Sequence, residues 1–336
     1  MAKMILTLLS LMVVSFVITI VVMPLVIKKL KNAEITGIDV NKIEKPKIVE
    51  MGGLGAIFGV SVSFLIIAIV FGFNPILAVF GVFLIGVFIG MVDDVKGISR
   101  RMKAVYVMVA SIPLIIVQPG LPSIQLPFHY LIEFSDIPFF YWLVLVPIGV
   151  TGAANAFNMS AGYNGLESGD FAVTSFFLLI ISCITNPDSA ATLVFSVLLG
   201  VSIALFIFNK YPAKMFVGNV GTLGMGATVA AGVIIGNIEF FGILCILPAF
   251  YELFGTIFYG NIKKIERRDA CMNPVITTDK SNNIPPKLSP PKGAEKFTLA
   301  FFLLGKKSMT EKDLVRVILS LYAICGLIAL GLTQVM

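Results

Sequence analysis

The chain has 336 residues, of which 57% are hydrophobic and 13% are charged, with a formal net charge of +6. Soluble domains carry roughly 25% charged residues, so this composition excludes a water-soluble globule. It also excludes a nucleic-acid-binding protein, because the basic residues are explained by membrane topology, as shown below.

Ten apolar segments follow one another along the chain. A helix needs about 20 mostly apolar residues to cross the hydrocarbon core, and its backbone polar groups must be paired within the segment. The segments lack the alternation of barrel strands, so we predict an all-α polytopic membrane protein of about ten transmembrane helices, a single domain over residues 1–336. The segments are Met4–Ile27, Met51–Phe71, Pro75–Val92, Ala104–Val117, Ile137–Ala156, Ser168–Thr185, Ser189–Phe208, Phe216–Gly236, Phe240–Tyr259 and Leu314–Val335.

The basic residues follow a strict pattern on this map. Six lie in or beside the first loop, four in the third, two in the seventh and eleven in the ninth, whereas the even-numbered loops contain none. Cytoplasmic loops carry the excess of Lys and Arg, so we predict cytoplasmic odd loops and external termini. The longest of these loops is the ninth, residues 260–312. Its proline-rich Ile284–Lys292 stretch predicts an extended arm or the edge of a hairpin.

Dense polar clusters stand at the helix ends of this predicted cytoplasmic face. They are Met51-Gly-Gly53, Asp93-Asp94, Arg101 with Lys103, the stretch from Asn155 to Gly169, the stretch from Asn209 to Asn219, and Arg267-Arg268-Asp269.

Each cluster alone has an ordinary structural explanation. Asp93-Asp94 alone fits a solvated helix end, and the Asn-rich fifth loop fits a capped turn. Glu252, inside the ninth segment, is a functional candidate as an intramembrane acid, although a hydrogen-bonded core carboxyl is favoured. Together, however, carboxylates, amides, glycines and cations on one face are the groups that hold a divalent metal and a diphosphate.

These clusters resemble the polyprenyl-phosphate N-acetylhexosamine-1-phosphate transferases, a family of ten-helix membrane enzymes. The likeness runs from about Ala33 to Asn273 with the motifs in order. Ala161-Gly-Tyr-Asn-Gly-Leu-Glu167 is similar to A-G-x-N-G-L-E of the eukaryotic and archaeal enzymes that begin dolichol-linked N-glycan synthesis. Asn209-Lys-Tyr-Pro-Ala-Lys-Met-Phe-Val-Gly218 resembles their N-x-Y-P-[SA]-[RK]-x-F-V-G.

The resemblance implies roles for individual residues. The catalytic residues would be Asp93, Asp94 and Lys103, of which Lys103 meets the donor diphosphate. The metal ligands would be Asn158 and Asn219, and the implied cofactor is Mg²⁺. The residues implied to bind substrate are Val40, Asn155, Gly162, Asn164, Glu167, Phe216, Arg267 and Arg268, with Phe216 and Gly162 on the two sides of the uracil ring and Val40 and Asn164 as its polar contacts.

Two positions depart from the family pattern. The family usually shows F-V-G-D, with the Asp as a metal ligand, and this chain has Asn219 after Gly218. An amide oxygen can bind Mg²⁺ but adds no charge. The family's central histidine beside the ninth-loop arginines is also absent, so a UDP-sugar is better supported than GlcNAc itself.

The resemblance implies transfer of an N-acetylhexosamine-1-phosphate, GlcNAc-1-phosphate above all, from a UDP-sugar such as UDP-GlcNAc to a polyprenyl or dolichyl phosphate, with release of UMP. The expected partners are these substrates and the lipid bilayer, and homodimerisation is left open. The short loops favour a prokaryotic, archaeal plasma membrane over the endoplasmic reticulum. Two alternatives remain: a secondary transporter with an ion site at Glu252, and an inactive relative that binds lipid phosphate.

The charge pattern makes a topological prediction. Cysteines introduced at Ser99 and Ser281 should be labelled only from the cytoplasmic side, because both positions lie in basic odd loops. Labelling of either position by an impermeant reagent added outside whole cells would overturn the assignment.

Overall fold

The computed structural model describes residues 2–72, 74–263, 274–279 and 284–335. It is mostly helical, and each of the ten predicted segments forms helix, which confirms a polytopic membrane protein. In chain order the helices are α1 Ala2–Asn32, α2 Leu54–Phe71, α3 Asn74–Lys96, α4 Arg100–Val109, α5 Ile112–Val117, α6 Pro138–Ser160, α7 Leu166–Thr185, α8 Ala190–Asn209, α9 Gly218–Ile235, α10 Glu239–Cys245, α11 Leu247–Gly255, α12 Leu299–Lys306 and α13 Glu311–Leu332.

Two of the ten predicted segments are not continuous full-length spans. Among the described residues, eight helices are long and apolar enough to cross a membrane: α1, α2, α3, α6, α7, α8, α9 and α13. The fourth segment is two short helices, α4 and α5. The ninth is bent by 73° between α10 and α11. Pro248, in the first turn of α11, has no N–H to continue the hydrogen-bond ladder across this bend.

Within the described ranges, three small antiparallel hairpins lie between the helices. The first pairs β1 Thr36–Ile38 with β2 Lys47–Val49. The second pairs β3 Ser123–Gln125 with β4 Leu131–Glu133. The third pairs β5 Val275–Asp279 with β6 Ile284–Ser289, so the proline-rich stretch of the ninth loop is the edge of a hairpin, as its sequence predicts.

Helix α9 forms the centre of the bundle, since 89% of its residues are buried. Glycines allow its neighbours to approach closely. A Cβ on Gly90 of α3 would overlap the Asn219 carbonyl, and a Cβ on Gly53 would overlap the Cα of Gly221. The first turn of α9 is therefore held between the end of α3 and the start of α2, next to the predicted polar face.

This packing predicts that Gly53→Ala destabilises the fold. The added methyl group would meet backbone atoms of α9 that cannot rotate away, and overpacking typically costs about 1–3 kcal/mol. The apparent unfolding temperature in one detergent should fall. Gly149→Ala is the matched control, because no atom lies within 4 Å of its Cβ position and Ala favours helix. Equal unfolding temperatures for the two variants would contradict the close approach.

Candidate active site

A cavity of about 670 Å³ lies where the odd loops and their helix ends converge. Its wall brings together residues that are distant in sequence, as the clusters predict. The predicted site residues that line it are Val40, Asp93, Asp94, Lys103, Asn158, Gly162, Glu167, Phe216 and Asn219.

Asp94 holds the beginning of α9. Its Oδ1 accepts the backbone N–H of Asn219 at 2.9 Å, and its Oδ2 accepts that of Val220 at 2.9 Å. The first N–H groups of a helix have no partner within the helix, so a carboxylate from α3 performs the capping. Gly218 has φ +75° and leaves room for this carboxylate, because a Cβ there would lie 2.9 Å from Asp94 Oδ2.

Asp93 faces a different partner. Its Oδ1 accepts the N–H of Ile98 at 2.7 Å, and its Oδ2 forms an ion pair with Lys103 Nζ. The ammonium also lies 3.4 Å from Asn158 Oδ1, to which it donates. An ammonium has three N–H donors, so this lysine keeps donor capacity for a ligand in the cavity.

The two predicted metal ligands are neighbours. Asn158 Nδ2 donates to Asn219 Oδ1 and, at 2.8 Å, to Thr222 Oγ1. Among the described residues, no three His, Cys, Asp or Glu side chains form a metal-binding group. The donors at this point are hard oxygens of amides, a hydroxyl and the nearby Asp93. This set fits Mg²⁺, which takes few protein ligands and completes its shell with substrate phosphates and water.

Phe216 is fixed by its backbone on both sides. Its N–H donates to Val49 O at 2.8 Å, and its carbonyl accepts the N–H of Gly52 at 2.8 Å. The next N–H, that of Val217, donates to Glu167 Oε2 at 3.0 Å. Glu167 therefore fixes the backbone directly after Phe216. Gly52, of the Met51-Gly-Gly53 motif, fixes the Phe216 carbonyl.

Gly162 lies on the same cavity wall with φ +128°, and no atom is within 4 Å of its Cβ position. Its carbonyl accepts Asn41 Nδ2 at 2.7 Å, so the fifth loop is tied to the first loop beside Val40. The space beside Gly162 is therefore open, and Phe216 lines the same cavity. The geometry is compatible with a flat ring as ligand.

Two of the predicted site residues that the structure describes, Asn155 and Asn164, do not line the cavity. Asn155 is buried within α6, where Nδ2 donates to Thr151 O at 2.9 Å. Asn164 uses its amide within the protein: Nδ2 donates to Asp39 Oδ2 at 3.0 Å, and Oδ1 accepts the N–H of Ala213 at 2.8 Å. Arg267 and Arg268 lie outside the described residues.

The structure adds Glu50 to the cavity wall. Burial raises the pKa of the Glu50 carboxyl above its ordinary value. Gly37 makes room for it, since a Cβ there would overlap the Glu50 side chain. The sequence signal was its position directly before the Met51-Gly-Gly53 motif. Glu252 also lines the cavity, and its Oε1 accepts the N–H of Leu299 at 2.6 Å, in agreement with a hydrogen-bonded carboxyl.

Comparison with known proteins matches residues 76–237 to glycosyl transferase family 4. A Saccharolobus solfataricus protein is 37% identical over 222 residues, which cover 65% of this chain and 68% of the relative. A Sulfolobus acidocaldarius protein is 33% identical over 226 residues, covering 65% and 68%. Both are provisionally named UDP-N-acetylglucosamine–dolichyl-phosphate N-acetylglucosaminephosphotransferase.

A bacterial protein from Halalkalibacterium halodurans, named phospho-N-acetylmuramoyl-pentapeptide-transferase, is 28% identical over 250 residues, covering 68% of this chain and 74% of the relative. The helices and the cavity at their ends define a polytopic membrane protein with a cavity lined by polar residues at one end of the bundle. The chain belongs to glycosyl transferase family 4, which confirms the family resemblance seen in its motifs.

Proposed function

We propose that this protein transfers GlcNAc-1-phosphate from UDP-GlcNAc to dolichyl phosphate or a related polyprenyl phosphate, with release of UMP. The observation that carries the proposal is one cavity that is lined both by an aromatic ring and a bare glycine, Phe216 and Gly162, and by a cation with an amide oxygen, Lys103 and Asn158. A nucleoside diphosphate has a flat base and a charged diphosphate, so its binding needs both of these parts of the cavity. The volume of about 670 Å³ lies within the usual range of small-molecule sites.

Relatives support the substrate assignment. The two archaeal proteins carry names that specify UDP-N-acetylglucosamine and dolichyl phosphate. The motifs of this chain in the fifth and seventh loops resemble those of the eukaryotic and archaeal enzymes that begin dolichol-linked N-glycan synthesis. By the charge pattern, the cavity faces the cytoplasm, where nucleotide sugars are available to it.

In the proposed reaction an oxygen of the lipid phosphate attacks the β-phosphorus of UDP-GlcNAc. The bond from that phosphorus to the bridging oxygen breaks, and UMP leaves with this oxygen. Phosphoryl transfer depends mainly on positioning and charge neutralisation. Lys103, held by Asp93, supplies a fixed positive charge for the diphosphate. The second phosphate pKa is about 6, so the lipid phosphate needs little help from a base at neutral pH.

Mg²⁺ is part of this proposal as a cofactor. The oxygens of Asn158 and Asn219, with Asp93 beside them, are the groups that would hold it, and the ion would neutralise negative charge on the diphosphate. Asp94 has both oxygens bonded to backbone N–H groups, so its contribution is to hold the first turn of α9 and Asn219 in place.

A direct assay tests the proposal against its alternatives. Purified protein in lipid nanodiscs should release UMP from UDP-GlcNAc only when a polyprenyl phosphate is present, and should form a GlcNAc-diphosphate lipid. Binding of UDP without UMP release from any UDP-N-acetylhexosamine would indicate an inactive lipid-phosphate-binding relative. Substrate uptake into proteoliposomes without UMP release would indicate a transporter.

Phe216→Ala should weaken donor binding. Loss of a stacking face costs about 1–3 kcal/mol per base, so the KM for UDP-GlcNAc should rise while the KM for lipid phosphate changes little. Phe216→Tyr is the matched control, since it keeps the ring. A raised lipid KM with an unchanged donor KM would reverse the roles assigned to the two ends of the cavity.

The metal proposal rests on Asn219 and Asn158. Asn219→Asp should shift the dependence of activity on Mg²⁺ to lower concentration, because it adds a full negative charge at the coordinating oxygen. Asn158→Ala should nearly abolish turnover, because it removes a ligand without replacement. An unmoved Mg²⁺ curve for Asn219→Asp, with full activity in Asn219→Ala, would show that Asn219 is no ligand.

A further inference from the structure

A buried polar cluster beside the cavity joins four segments that are far apart in sequence. It consists of Asp39, Lys42, Asn164, Ala213 and Glu311, and we call it the four-segment clamp. The segments are the first loop, the fifth loop, the seventh loop and the start of α13. Asp39, Asn164 and Glu311 are each less than 5% exposed, so the polar groups here interact with one another and hardly with solvent.

Glu311, in the first turn of α13, contacts two of the other segments. Its Oε1 accepts the backbone N–H of Asn164 at 2.8 Å. Its Oε2 forms an ion pair with Lys42 Nζ. The carboxylate thus fixes the backbone of the fifth loop and the side chain of the first loop at one point.

Asp39 and Lys42 complete the clamp from the first loop. Lys42 Nζ lies 3.1 Å from Asp39 Oδ2 and 4.5 Å from the centre of the Tyr211 ring. Asp39 Oδ2 also accepts Asn164 Nδ2 at 3.0 Å. The Asn164 amide then reaches the seventh loop through the N–H of Ala213. Each loop is bonded to at least one other segment: Lys42 takes part in the two ion pairs, and Asn164 takes part in the three hydrogen bonds.

The three loops carry Val40, Gly162 and Phe216, which line the cavity and which we call its aromatic–glycine end. Asp39 is followed directly by Val40, Asn164 stands two residues after Gly162, and Ala213 stands three residues before Phe216. Buried ion pairs contribute little net stability, because desolvation offsets their attraction, and fixing the geometry of a site is one use for them. The clamp holds the three loops together at the edge of the cavity, where Asp39 is its one member that lines the cavity.

We propose that Glu311 and Lys42 are positioning residues for the nucleotide end of the donor site. They act through Asn164 and the first loop, and they contact neither the reacting phosphorus nor the lipid. The inference rests on the proposed function, since it takes the ring held between Phe216 and Gly162 to be the base of UDP-GlcNAc. It assigns a positioning role to α13, which lies beyond the family match at residues 76–237.

The test compares Glu311→Gln and Lys42→Met with the matched control Asp313→Asn. Asp313 is an exposed carboxylate on the same helix turn, paired with Arg316 outside the clamp. The clamp variants should weaken UDP binding, measured by calorimetry on protein in nanodiscs, by about tenfold or more, as expected when binding groups are misplaced. The donor KM should rise in parallel, whereas the lipid-phosphate KM and the Mg²⁺ dependence stay close to wild type.

A double variant separates positioning from general damage. If the two side chains act through one ion pair, their effects on UDP binding should be strongly non-additive in Glu311→Gln with Lys42→Met. Lys42→Arg, which keeps the charge, should restore most of the binding. Unchanged UDP affinity in both single variants would overturn the proposal. Loss of folded protein in both would also overturn it, because the clamp would then be a requirement for folding.

Failure of the proposed function gives a different result. In that case the wild-type protein itself would release no UMP, whatever the clamp variants do. If wild type is active but the variants lower turnover with unchanged donor affinity and altered lipid KM, the clamp serves the acceptor side and the inference is wrong while the function stands.

Discussion

The bond between Asp94 and the first turn of α9 determines the geometry of the site. The backbone N–H groups of Asn219 and Val220 have no partner within the helix, and both donate to the Asp94 carboxylate of α3. Hydrogen bonds to charged groups contribute about 1.5–3 kcal/mol each, more than neutral ones. Since Asn219 and Thr222 both lie in the first two turns of α9, their positions depend on this cap. The glycine contacts of α3 and α2 with α9 bring the backbones close enough for it to form.

Because of this cap, the two adjacent acids Asp93 and Asp94 have different roles. Adjacent residues on a helix point in different directions, so Asp94 turns towards α9 while Asp93 turns towards Lys103. A sequence that shows two neighbouring carboxylates invites the view that both perform the same chemistry. In the structure one organises the cavity wall and the other orients a cation within it.

Much of the fold could be predicted, because a helix that spans a membrane requires a long run of apolar residues. All ten segments form helix, yet the 73° bend at Ile246 was missed, although Pro248 is its physical cause.

Convergence of Asp93, Lys103, Asn158 and Phe216 on one cavity followed from their shared face. Hydrogen-bond partners could not be predicted, because they lie far apart in sequence: Asn158 and Asn219 are 61 positions apart, and Asp94 and Asn219 are 125 positions apart. Asn164 and Glu311 are the clearest example: an acid in the first turn of the last helix gives no hint of a bond to the fifth loop. Lys42 likewise looked like a topology signal, whereas it lies between two carboxylates.

The most direct test of this account compares Asp93→Asn with Asp94→Asn in the same nanodiscs, measuring both apparent unfolding temperature and turnover. An amide at position 94 keeps one acceptor oxygen but points an N–H₂ group at a second backbone donor. We therefore expect Asp94→Asn to lower the unfolding temperature together with turnover. Asp93→Asn should keep an unfolding temperature closer to wild type and lose turnover, because Lys103 loses its ionic partner. A wild-type unfolding temperature in Asp94→Asn, with turnover abolished, would contradict the account and make Asp94 a reacting group.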